Sequence, residues 1–143
     1  MRFIREKTLH FQHCDPAGII FYPQYFVLFH EVLENWWTDG LGIPYGDYIR
    51  QQRLGVPAVR TSAEFFAQAW LGDVLRFELV CTRLGQSSLD YRIEAWRGET
   101  LCARGDCTVV QTSLDTRKSL PFTGTLREKL QAFLEPPMTS GSA

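Results

Sequence analysis

The chain has 143 residues, of which 45% are hydrophobic, and a formal net charge of −1. This length fits one globular domain, and the balanced charge gives no basic excess of the kind that nucleic-acid-binding proteins carry. No apolar run approaches the roughly 20 residues of a membrane-spanning helix, and residues 1–6 lack the apolar core of a signal peptide. We therefore expect one cytoplasmic domain, residues 1–134, with no nucleic-acid partner and no membrane span.

The N-terminal segment is predicted to be a strand that ends in a turn. Residues 2–12 carry apolar side chains at positions of one parity, as a strand with one buried face does. Residues 13–16, which include Asp15 and Pro16, end this strand. Because proline lacks an N–H and disfavours a helical conformation in the residue before it, Asp15 is expected to lie in a turn.

A long apolar helix is predicted next. Pro23 suits a first helical turn, where no N–H is needed, and Gly40 and Gly42 supply a C-terminal stop. Apolar side chains cover most of the helix and leave only a narrow polar stripe, made of Gln24, Glu31, Asn35 and Thr38. A helix of this composition is buried on most sides, and its expected length is roughly 25 Å.

The second half of the chain has the pattern of a β-sheet. After a connector, residues 41–57, with one or two helical turns, the hydrophobic period changes to two. Four alternating segments separated by glycine turns predict an antiparallel meander. Within the last strand, Gly105 indicates a bulge or a close approach. A short helix is predicted over residues 125–134, and residues 135–143 are predicted to be a disordered tail.

This order of elements predicts an α+β fold. One strand, one apolar helix and four further strands are best combined when a five-stranded antiparallel sheet wraps the long helix. Such a sheet retains edge strands with unpaired backbone groups. A homodimer with a continuous sheet is therefore expected.

Cysteine and histidine spacing gives no sign of a metal site. The four cysteines form no CxxC pair and are predicted to be free thiols, mostly buried: Cys14, Cys81, Cys102 and Cys107. His30 and Glu34 have i, i+4 spacing on the helix, but two candidate ligands do not make a site. A contact along the helix face is the preferred interpretation.

Residues 15–25, DPAGIIFYPQY, together with the order of elements, resemble the hotdog-fold acyl-CoA thioesterases, and most of all the 4-hydroxybenzoyl-CoA thioesterase family. The matching positions are Asp15, Ala17, Gly18, Tyr22 and Tyr25. Likeness in residues 69–75 and 82–89 extends the resemblance over residues 3–130. Many bacterial relatives have His where this chain has Pro23, and the proline favours the branch that acts on aryl substrates.

The resemblance implies a hotdog fold and a thioester hydrolase acting on an aromatic (hydroxybenzoyl-like) or short-chain acyl-CoA. It implies that Asp15 is the nucleophile or the general base, a choice that the residues leave open. The backbone N–H of Tyr22 would polarise the thioester carbonyl, and Gly18 would permit close approach. A helix N-terminus near Asp15 favours an ionised carboxylate. No cofactor is expected because coenzyme A is part of the substrate, and the homodimer is expected to pair into a homotetramer.

Contacts with the substrate are expected from a second set of residues. This set comprises the aromatic Tyr25, the phosphate-binding candidates Arg60 and Arg83, and the hydrogen-bonding candidates Thr61, Ser62, Gln86 and Ser87. Gln86 stands where relatives often have Lys or Arg, which weakens one expected phosphate contact.

Simpler interpretations compete with several of these roles. Asp15 would serve as a cap of its own turn. His13 is interpreted as a surface residue at a strand end, with tuning of the carboxylate as the alternative, and Cys14 as a packing residue. A non-catalytic acyl-CoA-binding module is the main alternative function. A hotdog dehydratase ranks lower because that chemistry needs a His base and none stands at the start of the helix.

Overall fold

The computed structural model describes residues 1–136, so most of the predicted tail lies outside the described residues. The strands are β1 (Phe3–Thr8), β2 (Leu54–Gly55), β3 (Ala58–Phe65), β4 (Val74–Leu84), β5 (Ser88–Arg97), β6 (Thr100–Val110) and β7 (Thr112–Ser113). The helices are α1 (Gln24–Asn35), α2 (Tyr45–Arg50) and α3 (Gly124–Gln131). None of the helices within residues 1–136 is both long and apolar enough to cross a bilayer.

Five strands form one antiparallel sheet in the order β1-β4-β5-β6-β3, and β2 pairs with β7 apart from it. The predicted five-stranded sheet is confirmed. The predicted meander of four consecutive strands is wrong, because only β4, β5 and β6 follow one another in space. Strand β3 pairs with β6 at the far edge, and residues 66–73 cross the end of the sheet to reach β4.

Hydrogen bonds at this end of the sheet determine where β1 and β3 end. β1 stops at Thr8 because Leu9 turns away to exchange backbone hydrogen bonds with Gly72 and Asp73. At the end of β3, the N–H groups of Phe66 and its successor both donate to the carbonyl of Cys102, which leads the chain into the crossover.

Helix α1 lies against the inner face of the sheet, as its broad apolar surface predicts. Leu28, Phe29, Val32 and Leu33 are all buried. The helix continues as a π-helical turn, Trp36–Gly40. Gly105 lies beside Phe29 in a regular stretch of the β5–β6 register, so the close approach is confirmed and the bulge is not.

The C-terminal part of the described chain closes the sheet beside β4. Leu134 forms a bridge with Cys81, and the N–H of Glu135 donates to the Cys81 carbonyl at 2.7 Å. The Glu135 carboxylate accepts from Arg92 at 2.6 Å. The predicted terminal helix is confirmed as α3, and the predicted tail therefore begins with a residue that contacts the sheet.

Candidate active site

A tight hairpin carries Asp15 at its tip. Cys14 and Ile20 pair as an antiparallel bridge, and the N–H of Asp15 donates to the Ile19 carbonyl at 2.8 Å. The turn closes where the N–H of Gly18 donates to the Asp15 carbonyl at 2.9 Å. Gly18 has a φ of +81°, a conformation that favours glycine over every residue with a side chain. The Asp-Pro-Ala-Gly sequence thus builds a defined support for one carboxylate.

The Asp15 carboxylate uses one oxygen to hold its own turn. Oδ1 accepts hydrogen bonds from the N–H groups of Ala17 at 2.9 Å and Ile19 at 3.3 Å. Oδ2 has no hydrogen-bond partner within residues 1–136, and the side chain is half-buried. The capping interpretation therefore describes one oxygen correctly. It leaves the second oxygen without a hydrogen-bond partner among the described residues.

The crossover segment, residues 66–73, holds the hairpin from behind. The N–H of Ile20 donates to the Ala69 carbonyl at 2.9 Å, and the N–H of Leu71 donates to the Gly18 carbonyl at 2.8 Å. From the sequence, residues 69–75 resemble a segment of the hotdog-fold thioesterases. Their support of the hairpin could not be predicted, because it depends on the strand order.

The N–H of Tyr22 is an unused donor just before α1. The next N–H groups are satisfied, since Gln24 donates to the Phe21 carbonyl at 2.8 Å and Tyr25 donates to that of Tyr22 at 3.1 Å. Pro23 has no N–H. Within the described residues the Tyr22 N–H has no acceptor, and it lies just before the N-terminal end of a helix, where partial positive charge accumulates.

Tyr25 is buried in the protomer rather than open to a ligand. Its side chain is 2% exposed, and its ring lies 5.6 Å from the ring of Phe65 and 5.7 Å from that of Phe29. Burial raises the pKa of Tyr25 above its ordinary range, and the hydroxyl has no hydrogen-bond partner within residues 1–136. A substrate contact at Tyr25 stays a prediction.

Three of the predicted coenzyme A contacts, Arg83, Gln86 and Ser87, lie at the opposite end of the sheet from Asp15. The Tyr22 ring lies 5.7 Å from Phe65, which ends β3, whereas Ala58 begins it. The β4–β5 turn lies near Ala58, because both Ala58 and Leu89 pair with Val109. Arg83, Gln86 and Ser87 belong to this turn region. The eight residues of β3 separate the two ends by roughly 20 Å.

Strand alternation divides the predicted contacts on β3 between two faces. Arg60 and Ser62 point outward into a polar pocket of about 290 Å³ that Asp90 and Asp106 also line. Thr61 points inward, toward α1. Two carboxylates beside Arg60 make the outer pocket a poor site for a phosphate. A phosphate contact at Arg83 stays a prediction.

A cavity of about 440 Å³ lies between α1, α2 and the inner face of the sheet. Its wall is mostly apolar and includes Phe26, Phe29, Leu33, Ile49, Val56, Ile93, Val109 and Leu114, with His30, Tyr45, Thr61 and Cys107 among its polar members. The contribution of α2 was missed from the sequence because the connector has no clear hydrophobic period.

The neighbours of Asp15 differ from one another in their surroundings. His13 is 6% exposed, so the expected surface histidine is wrong. Burial lowers the pKa of His13. Burial raises the pKa of the Cys14 thiol, and the carboxylates of Asp15 and Asp73 add to that effect. A thiol of this kind is a poor nucleophile, in agreement with its interpretation as a packing residue.

His30 and Glu34 make the expected contact along the helix, with Nε2 and Oε2 3.3 Å apart. Within residues 1–136 no group of three or more His, Cys, Asp or Glu side chains is placed to hold a metal ion. The four cysteines are free thiols.

The chain is similar to known thioesterases over nearly its whole length. The family model described as "Thioesterase-like superfamily" matches residues 9–130. A 1,4-dihydroxy-2-naphthoyl-CoA hydrolase of Synechocystis sp. is 28% identical over 122 residues, which cover 84% of this chain and 88% of the relative. The similarity is to the broad superfamily, and the narrower 4-hydroxybenzoyl-CoA branch is not singled out.

Solved structures agree with this assignment. A thioesterase superfamily protein from Jannaschia sp. CCS1 superposes with a TM-score of 0.86 at 25% identity, covering 94% of each chain. A 1,4-dihydroxy-2-naphthoyl-CoA thioesterase from Synechocystis superposes with a TM-score of 0.83 at 25% identity, covering 95% of this chain and all of the other. The hotdog fold is thereby confirmed. The chain belongs to the Thioesterase-like superfamily, and it is a thioester hydrolase.

Proposed function

We propose that the protein hydrolyses an aromatic acyl-CoA to the free acid and coenzyme A, with Asp15 as the reacting carboxylate. The observation that carries this proposal is the hairpin itself, which presents an Asp15 oxygen without a hydrogen-bond partner three residues before Gly18 and leads directly to the free N–H of Tyr22. A thioester carbonyl that accepts from Tyr22 gains stabilisation as its oxygen becomes negative.

Two routes use this geometry. In the first, Asp15 takes a proton from water while that water attacks the carbonyl carbon. In the second, Asp15 attacks the carbon and forms an anhydride that water then opens. In both, the carbon–sulfur bond breaks and coenzyme A leaves as a thiolate that acquires a proton. Both need the carboxylate ionised and one of its oxygens unoccupied.

A complete site in this proposal takes residues from two protomers. Asp15 and Arg83 belong to opposite ends of one sheet, roughly 20 Å apart along β3. Antiparallel pairing of two β3 strands across a two-fold axis would place the Phe65 end of one beside the Ala58 end of the other. The hairpin of one subunit would then lie near the coenzyme A contacts of its partner.

The exposed edge of β3 is suited to this pairing. Val59 and Phe65 are 63% and 45% exposed, and Phe26 and Val27 extend the apolar surface onto α1. The opposite edge, β1, instead carries charged side chains, such as Lys7, which pairs with Glu31 of α1 at 3.2 Å. Charged side chains protect an edge from pairing, whereas an apolar edge invites it. We therefore propose a β3–β3 homodimer; a tetramer of two such dimers stays a prediction.

The apolar cavity supports an aromatic acyl group. It is bordered by Ala58 and Thr61 of β3, so two-fold pairing would bring the partner's hairpin toward its rim. A mostly apolar wall with few polar groups suits a ring system that carries one or two hydroxyls. The curated relative from Synechocystis is named for a dihydroxynaphthoyl thioester, which belongs to this chemical class.

A substrate panel with two matched variants tests the proposal. Purified protein is assayed for thiol release from benzoyl-, hydroxybenzoyl-, hydroxynaphthoyl-, short-chain and long-chain acyl-CoA. The highest kcat/KM is expected for an aryl thioester. Asp15→Asn should lower kcat by at least about 10³-fold because it removes the charge at constant size. Asp115→Asn, an exposed residue paired with Arg53, is the control and should retain activity. Undiminished turnover by Asp15→Asn would refute the mechanism.

A further inference from the structure

His13 is one of two buried polar residues among the described residues; the other is Gln111. Gln111 is fully bonded, since it accepts from the Tyr48 hydroxyl at 2.7 Å and donates to the carbonyls of Leu120 and Pro121. His13 differs because it ends the 3-10 turn Phe11–His13, only two residues before Asp15. A buried polar group in such a place calls for a function of its own.

Three hydrogen bonds place His13 at the start of the hairpin that carries Asp15. Its ring Nδ1 accepts from the N–H of His10 at 2.9 Å, and its own N–H donates to the His10 carbonyl at 2.9 Å. Its carbonyl accepts from the N–H of Phe21, also at 2.9 Å. The residue therefore joins the incoming turn to the strand that leads into Tyr22. The two groups with proposed catalytic roles lie on either side of this junction.

The ring can accept at Nδ1 only while Nδ1 carries no proton. The neutral tautomer with hydrogen on Nε2 meets this condition, whereas the doubly protonated ring does not. The Gln12 side-chain amide lies 3.4 Å from Nε2, and its oxygen can accept this hydrogen when the amide turns that oxygen toward the ring. The charged groups that face the ring are Lys7 on β1, Glu31 on α1 and His10 in the same turn. Glu31 accepts from Lys7 at 3.2 Å, so much of its charge is already engaged.

Burial lowers the pKa of His13, the positive charges of His10 and Lys7 act in the same direction, and Glu31 opposes them. The native state thus holds the ring neutral. Its contribution to stability is complete above the ordinary histidine pKa of about 6.5 and is lost as the pH falls through the lower native value.

We propose that neutral His13 is a positioning residue, which keeps the Asp15 carboxylate and the Tyr22 N–H in the geometry for hydrolysis and releases the hairpin when it is protonated. The kinetic part of this inference rests on the proposed function, because it uses kcat for thioester hydrolysis as the measure of the hairpin geometry. Acidification therefore lowers kcat as the His13 ring becomes protonated and its Nδ1 can no longer accept from the N–H of His10.

A pair of amide variants isolates the Nδ1 acceptor. The side-chain oxygen of His13→Asn occupies the place of Nδ1, whereas that of His13→Gln lies one bond farther out, near Nε2. His13→Asn should retain kcat within about threefold, and His13→Gln should lower kcat about tenfold or more with little change in KM, since a small displacement of reacting groups is costly. His13→Asn should also shift the acid limb of the kcat profile to lower pH. Equal activity of the two variants with an unshifted acid limb would overturn the proposal.

A spectroscopic measurement tests the same point in the unaltered protein. The chain has three histidines. Imidazole nitrogen resonances can therefore be assigned with His10→Gln and His30→Gln. The expected result is the Nε2–H tautomer for His13 and a midpoint below the ordinary histidine pKa of about 6.5. An Nδ1–H tautomer, or a midpoint at or above that ordinary value, would overturn the proposal. This readout needs no substrate, so a failure here is distinct from a failure of the proposed hydrolysis.

Discussion

Gly105 of β6 lies directly against the ring of Phe29 on α1. A Cβ placed at Gly105 would be 2.7 Å from Cε2 of that ring, a separation that side chains do not tolerate. Phe29 is held in turn by the rings of Tyr25 at 5.7 Å and Phe77 at 6.1 Å. This contact fixes how deeply α1 lies in the sheet. The position of the Tyr22 N–H depends on it.

Gly105→Ala should therefore destabilise the protein by about 1–3 kcal/mol, because an added methyl group overpacks a core contact. Urea unfolding followed by fluorescence measures the change. Gly46→Ala is the matched control, since no atom lies within 4 Å of a Cβ at that position in α2. Alanine there should be neutral or slightly stabilising. Equal stability of the two variants would contradict the close packing.

Gly18→Ala should lower both stability and turnover. A φ of +81° strains any residue with a Cβ, at a cost of about 1 kcal/mol, and the strain falls on the turn that supports Asp15. Gly98, with a φ of +59° in the β5–β6 turn and open space around it, offers a control with comparable strain. Gly98→Ala should lose similar stability in urea unfolding but keep its kcat. A parallel loss of kcat in both variants would show that the hairpin has no special role.

Hybrid dimers test whether one site takes residues from two subunits. Asp15→Asn subunits, expected to be inactive, and Arg83→Glu subunits, expected to bind acyl-CoA only weakly, are co-expressed with different affinity tags, purified as mixed dimers and assayed with substrate below the wild-type KM. Each mixed dimer should contain one intact site and recover about half of the wild-type activity, as a two-fold interface requires. No recovery would place both residues of a working site in the same subunit.

Arg83→Gln should raise KM for acyl-CoA about tenfold without a comparable fall in kcat, because it removes a charged hydrogen bond to phosphate. A pantetheine thioester that lacks the nucleotide should be unaffected by the same change. Arg117→Gln, at an exposed position of the loop after β7, is the control for loss of one positive charge. An equal effect on both thioesters would argue against a phosphate contact at Arg83.

Much of the fold can be predicted from the residues alone. Alternating apolar positions predicted the strands and their inner faces, and the apolar circumference predicted a buried α1. The sequence Asp15-Pro16-Ala17-Gly18 predicted a turn with a carboxylate, and the structure adds that Gly18 needs its positive φ. These features are local: a side chain's neighbours three or four positions away largely decide them.

Other features are decided only in three dimensions. The crossover behind the hairpin follows from β3 pairing with β6 instead of β4. The separation of Arg83 from Asp15 follows from the length of β4, which begins beside the hairpin and carries Arg83 near its other end. The burial of His13 depends on packing between distant segments. A period of two tells which face a residue occupies, but it carries no information on which strand lies beside it. Strand order depends on backbone hydrogen bonds between distant segments, and those bonds involve atoms that every residue shares. The chemistry of the hairpin is therefore encoded locally, and its surroundings are set by the tertiary structure.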